Sequence, residues 1–240
     1  MPAPWCGTAS WSRRAEAART YPALPAKAVD DPDALPELPE LPLFPLQTVL
    51  FPGGRLALKV FEARYLDLVG HCLRQAQPFG VVALRQGAEV GAKAPGQQME
   101  AVGVLAHIEE VDAEQAGILL VRCGGGERFR LLGPPAQRED GLWVGSARRL
   151  PGDDASPPEA AMGATVQALA RLADNLAARG AAPPWAGPAR LDDAGWVANR
   201  WCELLPIPLG TRQKLMELED APARLRLVDG FLRSRGVVKG

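Results

Sequence analysis

The residues of this chain best suited to chemistry are two histidines, four cysteines, one glycine cluster and a run of carboxylates. His71 and His107 fall on different segments, neither at a zinc-like spacing from a second ligand. His71 and Cys72 are adjacent, so on a helix they point in different directions. Gly124-Gly125-Gly126 runs into Glu127-Arg128, so it lacks the lysine of a phosphate-cradling loop and reads as a hairpin turn. Ser146, in Val144-Gly145-Ser146-Ala147-Arg148, lacks the second glycine of G-x-S-x-G and falls inside a predicted strand. Cys72 and Cys123 carry no signature of a reactive thiolate and read as small buried hydrophobes. Glu109, Glu110, Asp112 and Glu114 read as the solvated tip of a hairpin. These residues assemble no catalytic constellation. The expectation is a non-enzyme with no metal site and no cofactor.

The elements around these residues divide into two textures. Residues 1–37 mix Ala, Pro and charge without periodicity and read as a flexible arm. Leu41-Pro42-Leu43-Phe44-Pro45-Leu46 is apolar but broken by prolines, which lack ladder donors, so it is placed at the edge or beginning of a sheet. Val49-Leu50-Phe51 reads as a short strand and Pro52-Gly53-Gly54 as a turn. Leu56, Leu58 and Val60 alternate with Ala57 and Lys59, the period of a half-buried strand. Tyr65, Leu66, Val69, Cys72 and Leu73 then fall at helical spacing, and the helix stops before Pro78. Strands follow at 79–84, 102–108, 118–122, 128–132 and 142–150, with a polar loop at 86–98.

Residues 151–158, Pro-Gly-Asp-Asp-Ala-Ser-Pro-Pro, read as a linker. Everything after it, 159–240, reads helical. Glu159 to Arg179 forms an Ala-rich helix with Gly180 as its stop. Asp192 or Asp193 caps a second helix carrying Trp196, Val197, Trp201 and Leu204. Thr211 caps a third, and Asp220, with Pro222 after it, caps a fourth bearing Leu225, Val228 and Leu232. The fold class is therefore α+β: a barrel-like β domain at 38–150 with one inserted helix, then a helical subdomain.

Composition narrows the function. The 240 residues carry 27 Lys+Arg against 28 Asp+Glu, a net charge of −1. Segment 41–150 holds 12 basic and 11 acidic residues, a net of +1, so there is no basic footprint for nucleic acid. No apolar run approaches the ~18–20 residues needed to cross a bilayer, and residues 1–33 hold no apolar core of a signal peptide. The scattered Cys6, Cys72, Cys123 and Cys202 form no C-x-x-C pair. A cytoplasmic, reduced setting is expected.

Three stretches together resemble the Lon protease N-terminal, or substrate-binding, domain family. The first runs from Leu41-Pro-Leu-Phe-Pro-Leu through Phe51-Pro52-Gly53 to Phe61-Glu62-Ala63-Arg64-Tyr65. The second joins Val102-Gly103-Val104-Leu105-Ala106-His107-Ile108 to Gly126-Glu127-Arg128-Phe129-Arg130-Leu131. The third is Leu204-Leu205-Pro206-Ile207-Pro208, then Lys214-Leu215-Met216-Glu217 and Arg224-Leu225. The ordered set covers about residues 38–236. The resemblance implies a pseudo-β-barrel related to PUA-like folds, followed by a helical bundle. It also implies a role in recognising protease substrates. These 240 residues contain no Walker A segment and no Ser/Lys peptidase segment, so only the recognition half is expected, as a stand-alone member.

The implied function is a non-catalytic module that binds unfolded or extended polypeptide, or a dedicated protein partner. Binding is expected to use an apolar groove and an open strand edge, with Phe44, Trp143 and Trp185 as candidate contacts. Trp185, in a Pro-rich loop, is expected to be the exposed aromatic, whereas Trp143 has core packing as its competing role. Arg128 and Arg130 are expected to point away from the face that Phe129 occupies. The alternative is RNA or small-ligand binding through the PUA-like barrel.

Overall fold

The computed structural model describes residues 35–86 and 98–238. The arm at 1–34 and most of the polar 86–98 loop lie outside the described residues. Among those described, eight strands and five α-helices follow in the order β1 (Glu37–Leu46), β2 (Arg55–Val60), α1 (Ala63–Gln75), β3 (Phe79–Gln86), β4 (Gln98–Met99), β5 (Val102–Gln115), β6 (Ile118–Leu131), β7 (Ala136–Gln137), β8 (Trp143–Arg149), α2 (Gly163–Ala178), α3 (Ala194–Leu204), α4 (Leu209–Glu217) and α5 (Ala221–Ser234). A 3-10 turn, Ala160–Met162, precedes α2. The α+β class is the one expected.

Strands β6, β5, β3, β1 and β8 pair in turn, and β8 pairs back to β6, closing a barrel-like ring. Side-chain alternation sends Leu41, Leu43, Val82, Leu105, Phe129 and Ala147 to one small cluster drawn from all five strands. Gly80 and Gly103 make room there. A Cβ on either would stand 2.7 or 2.6 Å from the Phe129 ring. The opposite faces of the strands join α1 and the helical half in one continuous core, from Phe44 and Tyr65 to Trp201, Leu225 and Leu232.

Several local expectations are corrected by this topology. β1 is not an edge: it pairs parallel with β3 and antiparallel with β8. Its prolines are tolerated because the strand changes partner along its length. Pro42 is in register with Val144 of β8 only, Pro45 with Val82 of β3 only, and Pro39 sits within a register shift. Each missing N–H therefore has a side on which no ladder bond is needed. Val49-Leu50-Phe51 is a buried non-strand segment, with Phe51 fully enclosed.

Gly124-Gly125-Gly126 is not a hairpin turn either. It lies inside β6, with Gly124 still in register with Arg55 of β2 and the stretch paired with β8 beginning at Phe129. Another backbone presses against it there, since a Cβ on Gly125 would stand 2.2 Å from the Phe51 carbonyl oxygen. The actual turn comes at Ala116–Gly117, where Gly117 takes φ +80°. β5 consequently runs through the acidic cluster, and Glu109, Glu110 and Glu114 pair with Arg55, Arg122 and Lys59 across the sheet.

In the helical half Asp193 and Asp220 cap α3 and α5 as expected. Thr211 caps nothing: α4 begins two residues earlier, behind Pro208. Segment 151–158 supplies an ionic contact between the two halves. Asp153 accepts from Arg128, at 3.2 Å, and from both terminal nitrogens of Arg224, at 2.7 and 3.0 Å. Arg128, beside the inward-facing Phe129, does point to the other face as expected, and there it is buried against the helical half.

Candidate functional site

Among the described residues, two of the concavities flank α1's N-terminal turn, one on each side. The larger, about 650 Å³, lies between α1, the first half of β1 and the β7–β8 turn. Its arginines Arg64, Arg138 and Arg149 are each paired with a carboxylate. Arg64, from the F-E-x-R-Y motif, is 6% exposed, donates to Glu62 and to the Gly141 carbonyl at 2.9 Å each, and stacks over Tyr65. Arg138 pairs with Asp140. His71 lines this cleft from the exposed side of α1. The Arg64–Glu62 pair fixes the strand-to-helix corner and ties it to the β7–β8 turn.

The smaller concavity, about 280 Å³, runs along β2 and is largely apolar: Phe44, Leu46, Leu56, Leu58, Val60, Phe61 and Tyr65 contribute to it. Among the described strands, β2 pairs with β6 alone. The Gly54 carbonyl accepts from Gly125 N at 2.8 Å and so faces β6. Alternation along a strand then turns Leu56, Leu58 and Val60 toward β6, and Arg55, Ala57 and Lys59 away from it. Arg55 agrees, since its N–H donates to the Pro184 carbonyl at 3.3 Å on the far side. Phe61, just past the strand, is 50% exposed.

The three aromatic candidates do not converge. Phe44 forms the groove's inner wall, stacked on Tyr65 with ring centroids 4.0 Å apart. Trp143 lies across the ring, half-buried against the inner cluster. Trp185 corrects the expectation of exposure: it is 2% exposed, packed edge-on to Trp196 at 5.5 Å and bridged to Gly54. Its loop ends the free run of β2 rather than presenting an aromatic surface. Sequence reasoning missed Leu56 and Phe61 as groove residues. The 56/58/60 alternation marked the strand, but nothing local marks which strand lacks a second neighbour.

Beneath the groove's end, α3 supports the Phe51-Pro52-Gly53-Gly54 turn. Arg200, fully buried, donates to the Pro52 carbonyl at 2.7 Å, lies over Trp196 and pairs with Glu203 at 3.3 Å. Burial pushes the Glu203 carboxyl up to about 7, against the opposing pull of Arg200, the Phe51 N–H and Arg212. Burial also pushes the guanidinium of Arg200 down. Because the folded value lies above the ordinary 4.5, Glu203's contribution to stability is complete below 4.5 and is lost as pH rises through about 7. Urea midpoints at pH 5, 6, 7 and 8 are expected to show the wild type losing ground to Glu203→Gln across that window. Parallel curves would contradict the assignment.

The remaining reactive groups are held quiet. Burial raises the thiols of Cys72, Cys123 and Cys202 to about 11, 12 and 12, so at neutral pH they are protonated. Burial also pushes His107 down; its Nε2 would lie 2.7 Å from a Cβ on Gly126. Among the described residues no three His, Cys, Asp or Glu side chains group as metal ligands. Nor is any described helix long and apolar enough to cross a membrane.

The described residues thus form a strand ring backed by a helical half, with the outer edge of β2 open beside an apolar groove. The family model of the ATP-dependent protease La (LON) substrate-binding domain matches residues 40–234. The chain belongs to that family. It is similar to the crystal structure of a Lon N-terminal domain protein from Xanthomonas campestris, with 33% identity and a TM-score of 0.64, over 80% of this chain and 97% of that one. It also matches the N-terminal domain of the Mycobacterium avium complex Lon protease, at 16% identity and a TM-score of 0.49, over 79% and 95% of the two chains. Among curated protein sequences, none matches this chain.

Proposed function

We propose that this chain is a non-catalytic recognition module that binds unfolded or extended polypeptide. The observation that carries this reading is the match to a substrate-binding domain over residues 40–234. The apolar groove beside a strand with one free edge supports it, because unfolded chains differ from folded ones in exposing apolar side chains and unpaired backbone together. The reading assigns no reaction, metal or cofactor to the chain. Nucleic acid is disfavoured by a net charge of −1, since phosphate contacts need a basic face.

The test is fluorescence anisotropy of the full chain titrated against labelled α-lactalbumin in two forms, native and reduced-carboxymethylated. At least tenfold tighter binding of the unfolded form is expected. Equal binding, or none, would contradict the reading.

A further inference from the structure

The geometry points to the free edge of β2 as the docking site, where an extended polypeptide from another protein adds as a further strand. This inference rests on the polypeptide-binding reading and goes beyond it by naming the backbone groups that make the bond. The N–H and C=O of Ala57 and of Lys59 face away from β6, and no described strand pairs with them. These four groups form a ladder segment two residues apart, spacing that only another extended backbone reproduces.

The chain's own behaviour shows what this edge accepts. Just before Ala57, the segment around Trp185 bonds to the same side of the chain through an isolated β-bridge. Gly54 bridges Trp185 antiparallel, Arg55 N donates to the Pro184 carbonyl, and Ala186 N donates to the Gly53 carbonyl at 3.0 Å. An incoming strand continues that ladder where the internal one stops. Its alternate side chains descend into the groove over Phe44, Leu46 and Tyr65, and Phe61 covers the far end. The other side chains face solvent beside Ala57 and Lys59.

Charge selects the occupant. Lys59 and Glu62 are the ionisable side chains lining the groove, and each is already paired, Lys59 with Glu114 at 2.6 Å and Glu62 with Arg64 at 2.9 Å. A polyanion finds no unpaired cation in that lining. An uncharged strand with apolar residues at every second position satisfies both the backbone edge and the apolar wall.

The test substitution is Ala57→Pro. The Ala57 N–H points away from β6, so proline there deletes an edge donor without breaking the β2–β6 ladder. Against reduced-carboxymethylated α-lactalbumin, Ala57→Pro is expected to lose at least tenfold in affinity, with the melting temperature within a few degrees of wild type. Phe61→Ser, at an exposed position, is expected to weaken binding several-fold. If wild type binds and a folded Ala57→Pro binds equally, the edge assignment is overturned while the polypeptide reading stands. Should Ala57→Pro fail to fold, Phe61→Ser decides alone, and unchanged affinity overturns the site. If wild type binds no unfolded reporter, both readings fall. A concentration-dependent dimer that Ala57→Pro abolishes would give the edge to a second copy, and would also overturn the proposal.

Discussion

Asp153→Ala is expected to destabilise the fold by about 3–5 kcal/mol, the range for removing one partner of a buried ion pair. The carboxylate serves two guanidiniums at once, Arg128 at 3% and Arg224 at 1% side-chain exposure. Arg128 also donates to the carbonyls of Pro151, Met216 and Leu218, and Arg224 to those of Leu215 and Leu218 and to Asn199. Those neutral acceptors hold the guanidiniums in place but do not offset their charge. Without Asp153 two like charges remain buried side by side, one anchored in the β ring and one in α5. Burial already pushes the Arg128 guanidinium down, with Arg224 acting in the same direction and Asp153 against them. Urea unfolding followed by tryptophan fluorescence measures the loss. A change below about 1 kcal/mol, the value of an exposed pair, would show that the clamp is not what joins the halves.

The second large effect is expected at Gly125. A Cβ there would stand 2.2 Å from the Phe51 backbone oxygen and 3.2 Å from Leu50. Neither side can retreat, because Gly125 N donates to the Gly54 carbonyl and Gly125 O accepts from Gly53 N, both at 2.8 Å. Overpacking against backbone pinned in this way costs about 3 kcal/mol. Gly133 is the control: nothing lies within 4 Å of its Cβ position, so Gly133→Ala is expected within about 0.5 kcal/mol of wild type. Equal midpoints for the two variants in urea would contradict the close approach of the Phe51–Gly54 turn to β6.

The contrast between these sites shows what was legible in the sequence. Local chemistry was: Asp193 and Asp220 accept from the first-turn N–H groups of α3 and α5, and Leu225, Val228 and Leu232 are buried at their helical spacing. The alternation at Arg128 and Phe129 was legible for the same reason, since it depends only on strand period. Apart from the cap expected at Thr211, the main failures depended on a partner far along the chain. Three glycines read as a turn because their spacing is turn-like, yet Phe51, some seventy residues earlier, is what requires Gly125. Trp185 reads as exposed because prolines and glycine surround it, yet it packs on Trp196 and bridges Gly54. The prolines of β1 suggest an edge because ladder loss is local, whereas a mid-strand change of partners is not.

The candidate site divides in the same way. Leu56, Leu58 and Val60 declared a strand by their period, and Phe44 was singled out as a contact. That β2 is left with a free side along the groove depends on which strands pair across the sheet, which no local pattern encodes. The sequence resemblance located the family correctly while leaving the binding surface unassigned.

Residue-resolved amide hydrogen exchange, by NMR on the full chain with and without saturating reduced-carboxymethylated α-lactalbumin, tests the account at its centre. Strand addition predicts new protection at the Ala57 and Lys59 amides. Leu56 and Leu58, whose amides already face Cys123 and Val121 of β6, should change little. Protection confined to the α1 cleft around His71 and Arg74, or a bound reporter that leaves Ala57 and Lys59 unprotected, would contradict it.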